Sequence, residues 1–241
     1  MIRGLSTLFV LAAGVLALLG AEGAAQSNPF QQLARSGQEA SGSHWYERVD
    51  GRGRLIFDQS GRAGLVWEEG SMEVVAVYRS RAAGGGEVWL TDTDRTLLRQ
   101  TNLGGWTYFP PDRRDGVIIE QLGPARTIVG APAGESELQR AAEEMVDRLV
   151  RLSRNEVTVQ LTSLSAAENA YIIDALAMIV LGAEAAPRRD LRGLEVVRVG
   201  FGEAPRADYD GRTLDVTVDV RRGYAGRPSS DYIRRTIEDG A

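Results

Sequence analysis

Between residues 45 and 122 the chain repeats a single pattern: a short run rich in Val, Leu, Ile, Trp and Tyr, then a break carrying Gly, Asp or Ser. Such runs read as strands, and they fall at 45–49, 54–58, 64–67, 72–79, 87–90, 96–101, 106–109 and 117–122. Ser60-Gly61, Glu69-Gly70, Gly104-Gly105 and Asp115-Gly116 supply the backbone freedom that tight reversals need. The expectation is an antiparallel meander, closed as a barrel or packed as a sandwich.

Past Pro124 and Pro132, which the pattern takes as a boundary, the period becomes helical. Residues 136–154 put Leu138, Ala142, Met145, Leu149 and Leu152 on one side and charge on the other, with Ser136 and Gln139 as a capping box. Residues 165–181 are apolar on nearly every side, because Glu168, Asn169 and Asp174 project in different directions. A helix with no wet face is buried. At about 1.5 Å per residue it reaches about 25 Å, short of the ~30 Å hydrocarbon layer, and Asp174 would lie mid-span. A core helix is therefore expected rather than a membrane span. Ser165 and Glu168 cap its start, and Gly182 is expected to end it in a left-handed turn. Strands are predicted at 156–161, 194–201 and 213–220, and a last helix at 231–237, capped by a serine of Pro228-Ser229-Ser230. The predicted fold class is α+β: an N-terminal antiparallel β-barrel or sandwich, then a smaller α+β domain packed on the central apolar helix.

The N-terminal segment adds a location. Arg3 precedes an uncharged run at 5–19 and then Gly23-Ala24-Ala25, the layout of a secretory signal peptide cleaved near Ala25. The mature chain is expected to be periplasmic or secreted, without stable membrane insertion. The chain has no cysteine, which excludes a lipoprotein anchor and disulfides. Residues 26–44, rich in Gln, Ser and Gly, read as a linker that admits a short helix at 30–40. The expected organisation is a signal peptide at 1–25, a linker at 26–44, an antiparallel β-domain at 45–130 and an α+β domain at 134–241.

Composition then removes chemistry. All 28 basic residues are arginine, since lysine is absent, so Schiff-base catalysis, Ser-Lys dyads and phosphate-binding P-loops are excluded. Without cysteine there is no thiol nucleophile or zinc-thiolate site. His44 is the only histidine, next to the linker, and reads as an ordinary exposed residue rather than a base. No cofactor and no metal site is expected. Asp92 and Asp94 suggest a calcium loop until the spacing is followed: Leu97 and Leu103 stand where such a loop needs glycine and glutamate, and a turn is the better reading. Asp215, Asp219 and Glu156 offer carboxylates for glycoside chemistry, or simply a solvated sheet face. A net charge of −5 makes nucleic acid and anionic membranes poor partners. An envelope protein or a glycan is the expected partner. All four tryptophans lie in the β-region, and Trp106 and Tyr108, two apart on one strand, are the candidate ligand contacts.

Residues 97–109 (LLRQTNLGGWTYF), the earlier Phe57-Asp58-Gln59-Ser60 and Gly226-Arg227-Pro228-Ser229-Ser230 resemble an exported bacterial family, the domain of unknown function numbered 4908. The resemblance implies no activity and no functional residues. The run 63–70 (AGLVWEEG) and the glycines before Glu87 also look like the periplasmic inhibitors of C-type lysozyme, small β-barrels that use a lysine absent from this chain. The expected function is a non-catalytic envelope binding module. The alternatives are a carboxylate-based envelope glycan hydrolase and a lysozyme-inhibitor-like or scaffold protein.

Overall fold

A computed structural model describes residues 39–83 and 85–241. The predicted signal peptide lies outside the described residues, as does nearly all of the linker helix.

The first half is an eight-stranded antiparallel barrel of β1 (Glu39–Arg48), β2 (Arg54–Asp58), β3 (Gly64–Glu68), β4 (Val74–Arg81), β5 (Glu87–Leu90), β6 (Thr96–Gln100), β7 (Trp106–Tyr108) and β8 (Val117–Arg126). Each strand pairs with its sequence neighbour, and β8 returns to β1, so the barrel has no free edge. All eight predicted runs are strands. Tyr46, Phe57, Val77, Trp89, Leu98 and Tyr108 pack inside.

The ends of the barrel differ from expectation. β1 starts at Glu39, so 39–44 are strand rather than linker, and Ser43 is buried with its hydroxyl donating to the Arg126 carbonyl at 3.0 Å. His44 is accordingly half-buried in a strand, opposite Phe57 on one side and Pro124 on the other, not an exposed residue of a linker. Pro124 marks no boundary; it stands within β8, near the register shifts of the β1–β8 pairing. A proline, lacking an amide hydrogen, is tolerated in a sheet where the ladder is irregular.

The second half runs α1 (Glu135–Ser153), β9 (Thr158–Gln160), α2 (Ala166–Ala185), β10 (Val196–Phe201), β11 (Arg206–Tyr209), β12 (Thr213–Val218), a 3-10 segment (Val220–Gly226) and α3 (Ser230–Gly240). Its sheet has the order β11-β12-β10-β9, with β9, β10 and β12 parallel and β11 antiparallel on the edge. α2 is its core: Ile172, Leu176, Met178 and Ile179 are buried against Leu149, Val197, Leu214 and Ile237.

Two caps fall elsewhere than the sequence suggests. α1 starts two residues upstream of the expected box, with the Gly134 amide donating to the Glu137 carboxylate at 2.6 Å. Gly182 does not stop α2. It lies inside the helix under α3, where a Cβ would come within 2.7 Å of Ile233. Close packing, not a turn, requires glycine there. α2 ends instead at Ala186, which is extended (φ −75°, ψ 151°) because Pro187 follows. Ser165 and Glu168 form the expected box, and Ser229 caps α3 by accepting from the Tyr232 amide at 3.1 Å.

Candidate functional site

The two halves meet along the outer face of β2 to β4. Ile56, Trp67 and Val74 on the barrel pack against Ile128 and Tyr224, while Trp45 meets Trp67 edge-on at 6.2 Å. Asp58, buried, accepts from the Ile128 amide at 2.7 Å. At the centre, Arg227 donates to Asp174 of α2 at 2.5 Å and to the Val74 carbonyl of β4 at 2.8 Å, with Glu73 at 3.8 Å. Burial pushes the Asp174 carboxyl above its ordinary range, and the Arg227 guanidinium opposes that shift. The preceding Gly226 has no room for a side chain: a Cβ would lie 1.9 Å from the Asp219 carbonyl oxygen.

Barrel carboxylates hold the start of α3. Asp92 accepts from the amide of Ser229 at 2.7 Å and from its hydroxyl at 2.6 Å. Glu73 accepts from the Ser230 amide at 3.1 Å, and Thr93 donates to Asp231 at 2.8 Å. Negative charge is favourable at a helix N-terminus, where amides are unpaired. Asp92 stands in the expected turn, closed by the Asp94 amide on the Thr91 carbonyl, and is also a fastener across 137 positions of sequence. Burial raises its carboxyl, with the Ser229 hydrogen bonds pulling the other way. Asp94 takes the turn, in a left-handed conformation (φ 58°).

Beside this junction opens a cavity of about 1060 Å³. It is lined by the β3–β4, β5–β6 and β7–β8 connections, which share one end of the barrel, by the first turns of α3, and by barrel side chains such as Val66, Leu97 and Tyr108. The lining extends to Arg81, Val88 and Arg99 at the far ends of β4, β5 and β6. Among the described residues seven arginines line it (Arg81, Arg95, Arg99, Arg113, Arg114, Arg234, Arg235) against three carboxylates (Glu68, Glu73, Asp231), a local excess of four positive charges. Each carboxylate is engaged. Glu68 accepts from Arg48 at 3.1 Å and from the Tyr108 hydroxyl at 3.0 Å. Glu73 holds Ser230, and Asp231 pairs with Arg234 at 2.7 Å and Arg235 at 3.1 Å.

The predicted contacts point inward. Tyr108 is only 4% exposed and lines the cavity, its phenol raised by burial and by neighbouring Glu68, so it stays protonated and donates. Trp106, half-buried, packs on Phe57 at 5.4 Å and Tyr46 at 6.0 Å. The pair thus shares one side of β7 as the spacing requires, and that side is the barrel interior rather than an outer shelf. Of the proposed carboxylate row, Asp215 pairs with Arg198 at 3.3 Å on the sheet, whereas Asp219 caps the 3-10 segment and holds Arg221 at 2.9 Å. Among the described residues no group of three or more His, Asp or Glu side chains is placed to hold a metal ion.

The architecture defines a β-barrel fastened to an α+β unit, with an arginine-lined cavity where they meet. The chain belongs to the family described as Domain of unknown function (DUF4908), whose model matches residues 28–237. No curated protein and no solved structure matches it. Two of the three motifs behind the family resemblance supply junction residues: Asp58 in one, Arg227, Ser229 and Ser230 in the other.

Proposed function

We propose that the protein is exported by the segment at 1–25 and works in the periplasm or outside the cell as a non-catalytic binding module, taking its ligand in the cavity beside α3. The observation that carries this reading is the cavity itself: about 1060 Å³, in which apolar side chains such as Val66, Leu97 and Phe109 stand beside a cluster of arginines. Its size is just above the usual range of about 300–1,000 Å³. Engagement of its carboxylates supports binding over hydrolysis, because a general acid or base must be free to exchange its proton with substrate. Glu68, Glu73 and Asp231 are instead committed to structural partners.

Export is tested by intact-mass measurement of the protein recovered from its host's envelope or medium. A mature N-terminus at or near Gln26 is expected. A product retaining Met1 in the cytoplasm would overturn the export half of the proposal.

A further inference from the structure

The charge of the cavity opposes that of the chain: a molecule of net charge −5 gathers a local surplus of arginines here. Salt bridges account for part of it, since Arg113 is 3.6 Å from Asp50, Arg234 and Arg235 face Asp231, and Arg234 also pairs with Glu238 at 2.6 Å. Arg81, Arg99 and Arg114 have no carboxylate partner among the described residues, and the Arg95 guanidinium donates to the Phe109 carbonyl at 3.0 Å. Unpaired guanidiniums carry donors in a planar fork that matches carboxylate, phosphate or sulfate oxygens. The same cavity has an apolar side, with Val66, Leu97 and Phe109 beside the charges.

Resting on the reading of this cavity as the ligand site, we propose that it takes an amphiphilic anion: a carboxylate, phosphate or sulfate group held by arginines, with an apolar body against the barrel. The net charge of the chain argues against anionic partners in general. The cavity is the local exception, because a concave site focuses the field of the charges that line it.

The test uses two fluorescent probes with one aromatic skeleton, the anionic 1-anilinonaphthalene-8-sulfonate and the neutral N-phenyl-1-naphthylamine, titrated into purified protein. The sulfonate should bind at least about tenfold more tightly than the neutral dye and weaken as salt is raised. Arg99→Glu and Arg114→Glu alter exposed side chains and should leave the fold intact. Each should weaken the sulfonate by about fivefold or more and leave the neutral dye unchanged. If neither dye binds, the cavity is not a ligand site and the underlying reading falls. If both bind equally and ignore the reversals, the site stands and its anion preference is overturned.

Competition then examines the ligand class. Octyl phosphate should displace the sulfonate dye, and inorganic phosphate at the same concentration should not; equal displacement by both would overturn the amphiphile requirement. Co-flotation with phosphatidylglycerol vesicles, lost in the two variants, supports the proposal with a lipid headgroup as the source. Displacement by octyl phosphate without flotation supports it with a free amphiphile.

Discussion

Replacing Trp106 and Tyr108 together by alanine is expected to unfold the barrel. Tyr108 is buried in the interior and hydrogen-bonded to Glu68, while Trp106 makes edge-on contacts with Phe57 and Tyr46. Truncating a buried aromatic costs about 3–5 kcal/mol, and the half-buried tryptophan should lose about half as much. Together the losses rival the whole stability of a domain, about 5–15 kcal/mol. A thermal melt followed by near-ultraviolet circular dichroism should show the aromatic signal absent or its midpoint sharply lowered. A double variant melting like the parent would mean that the pair stands outside the barrel core.

Arg227→Ala should be nearly as damaging, for a different reason. The arginine is buried between the halves, and removing it strands the Asp174 carboxylate and leaves the Val74 carbonyl without its donor. Breaking one partner from a buried ion pair costs about 3–5 kcal/mol. The loss should depend on pH. Asp174 already has a raised carboxyl, and without the arginine that opposes the shift it rises further. A group whose folded pKa exceeds its unfolded value contributes stability at low pH and loses it as pH rises. The deficit relative to parent should therefore shrink on acidification and grow toward neutral pH. Denaturant melts at several pH values check this, and a deficit that is small or independent of pH would remove Arg227 from its central place.

The barrel was legible because it is built from local signals. Most strands are short runs of β-favouring residues, and each reversal carries glycine, aspartate or proline, so they could be placed from their own residues. Where local signal fails, so does the reading. The first half of β1 is Ser and Gly rich and is a strand because β8 and the end of β2 pair with it. β11 offers just Ala207 and Tyr209 between charges, as an exposed edge does, and was not expected. Gly182 was misread because the neighbour that demands it, Ile233, is remote in sequence.

The site was much less visible. Spacing puts Trp106 and Tyr108 on one side of a strand, but no local rule tells inside from outside when barrel strands such as β2 carry apolar residues on both faces. The fastening of α3 joins Asp92 to Ser229 and Glu73 to Ser230 across more than half the chain. The cavity arginines come from the barrel connections, the strand ends and α3, so only the whole fold assembles them. Their one trace in the sequence is that every cation is arginine, which by itself points nowhere.

A crystal structure with bound 1-anilinonaphthalene-8-sulfonate tests most directly whether ligand sits in the cavity that runs from the start of α3 along the barrel to Arg99. The sulfonate is expected within hydrogen-bond distance of Arg95, Arg99 or Arg114 and the rings against Leu97 or Phe109. Dye found only on the exposed apolar strip of Val49, Ile118 and Leu122, with the cavity empty, would contradict it.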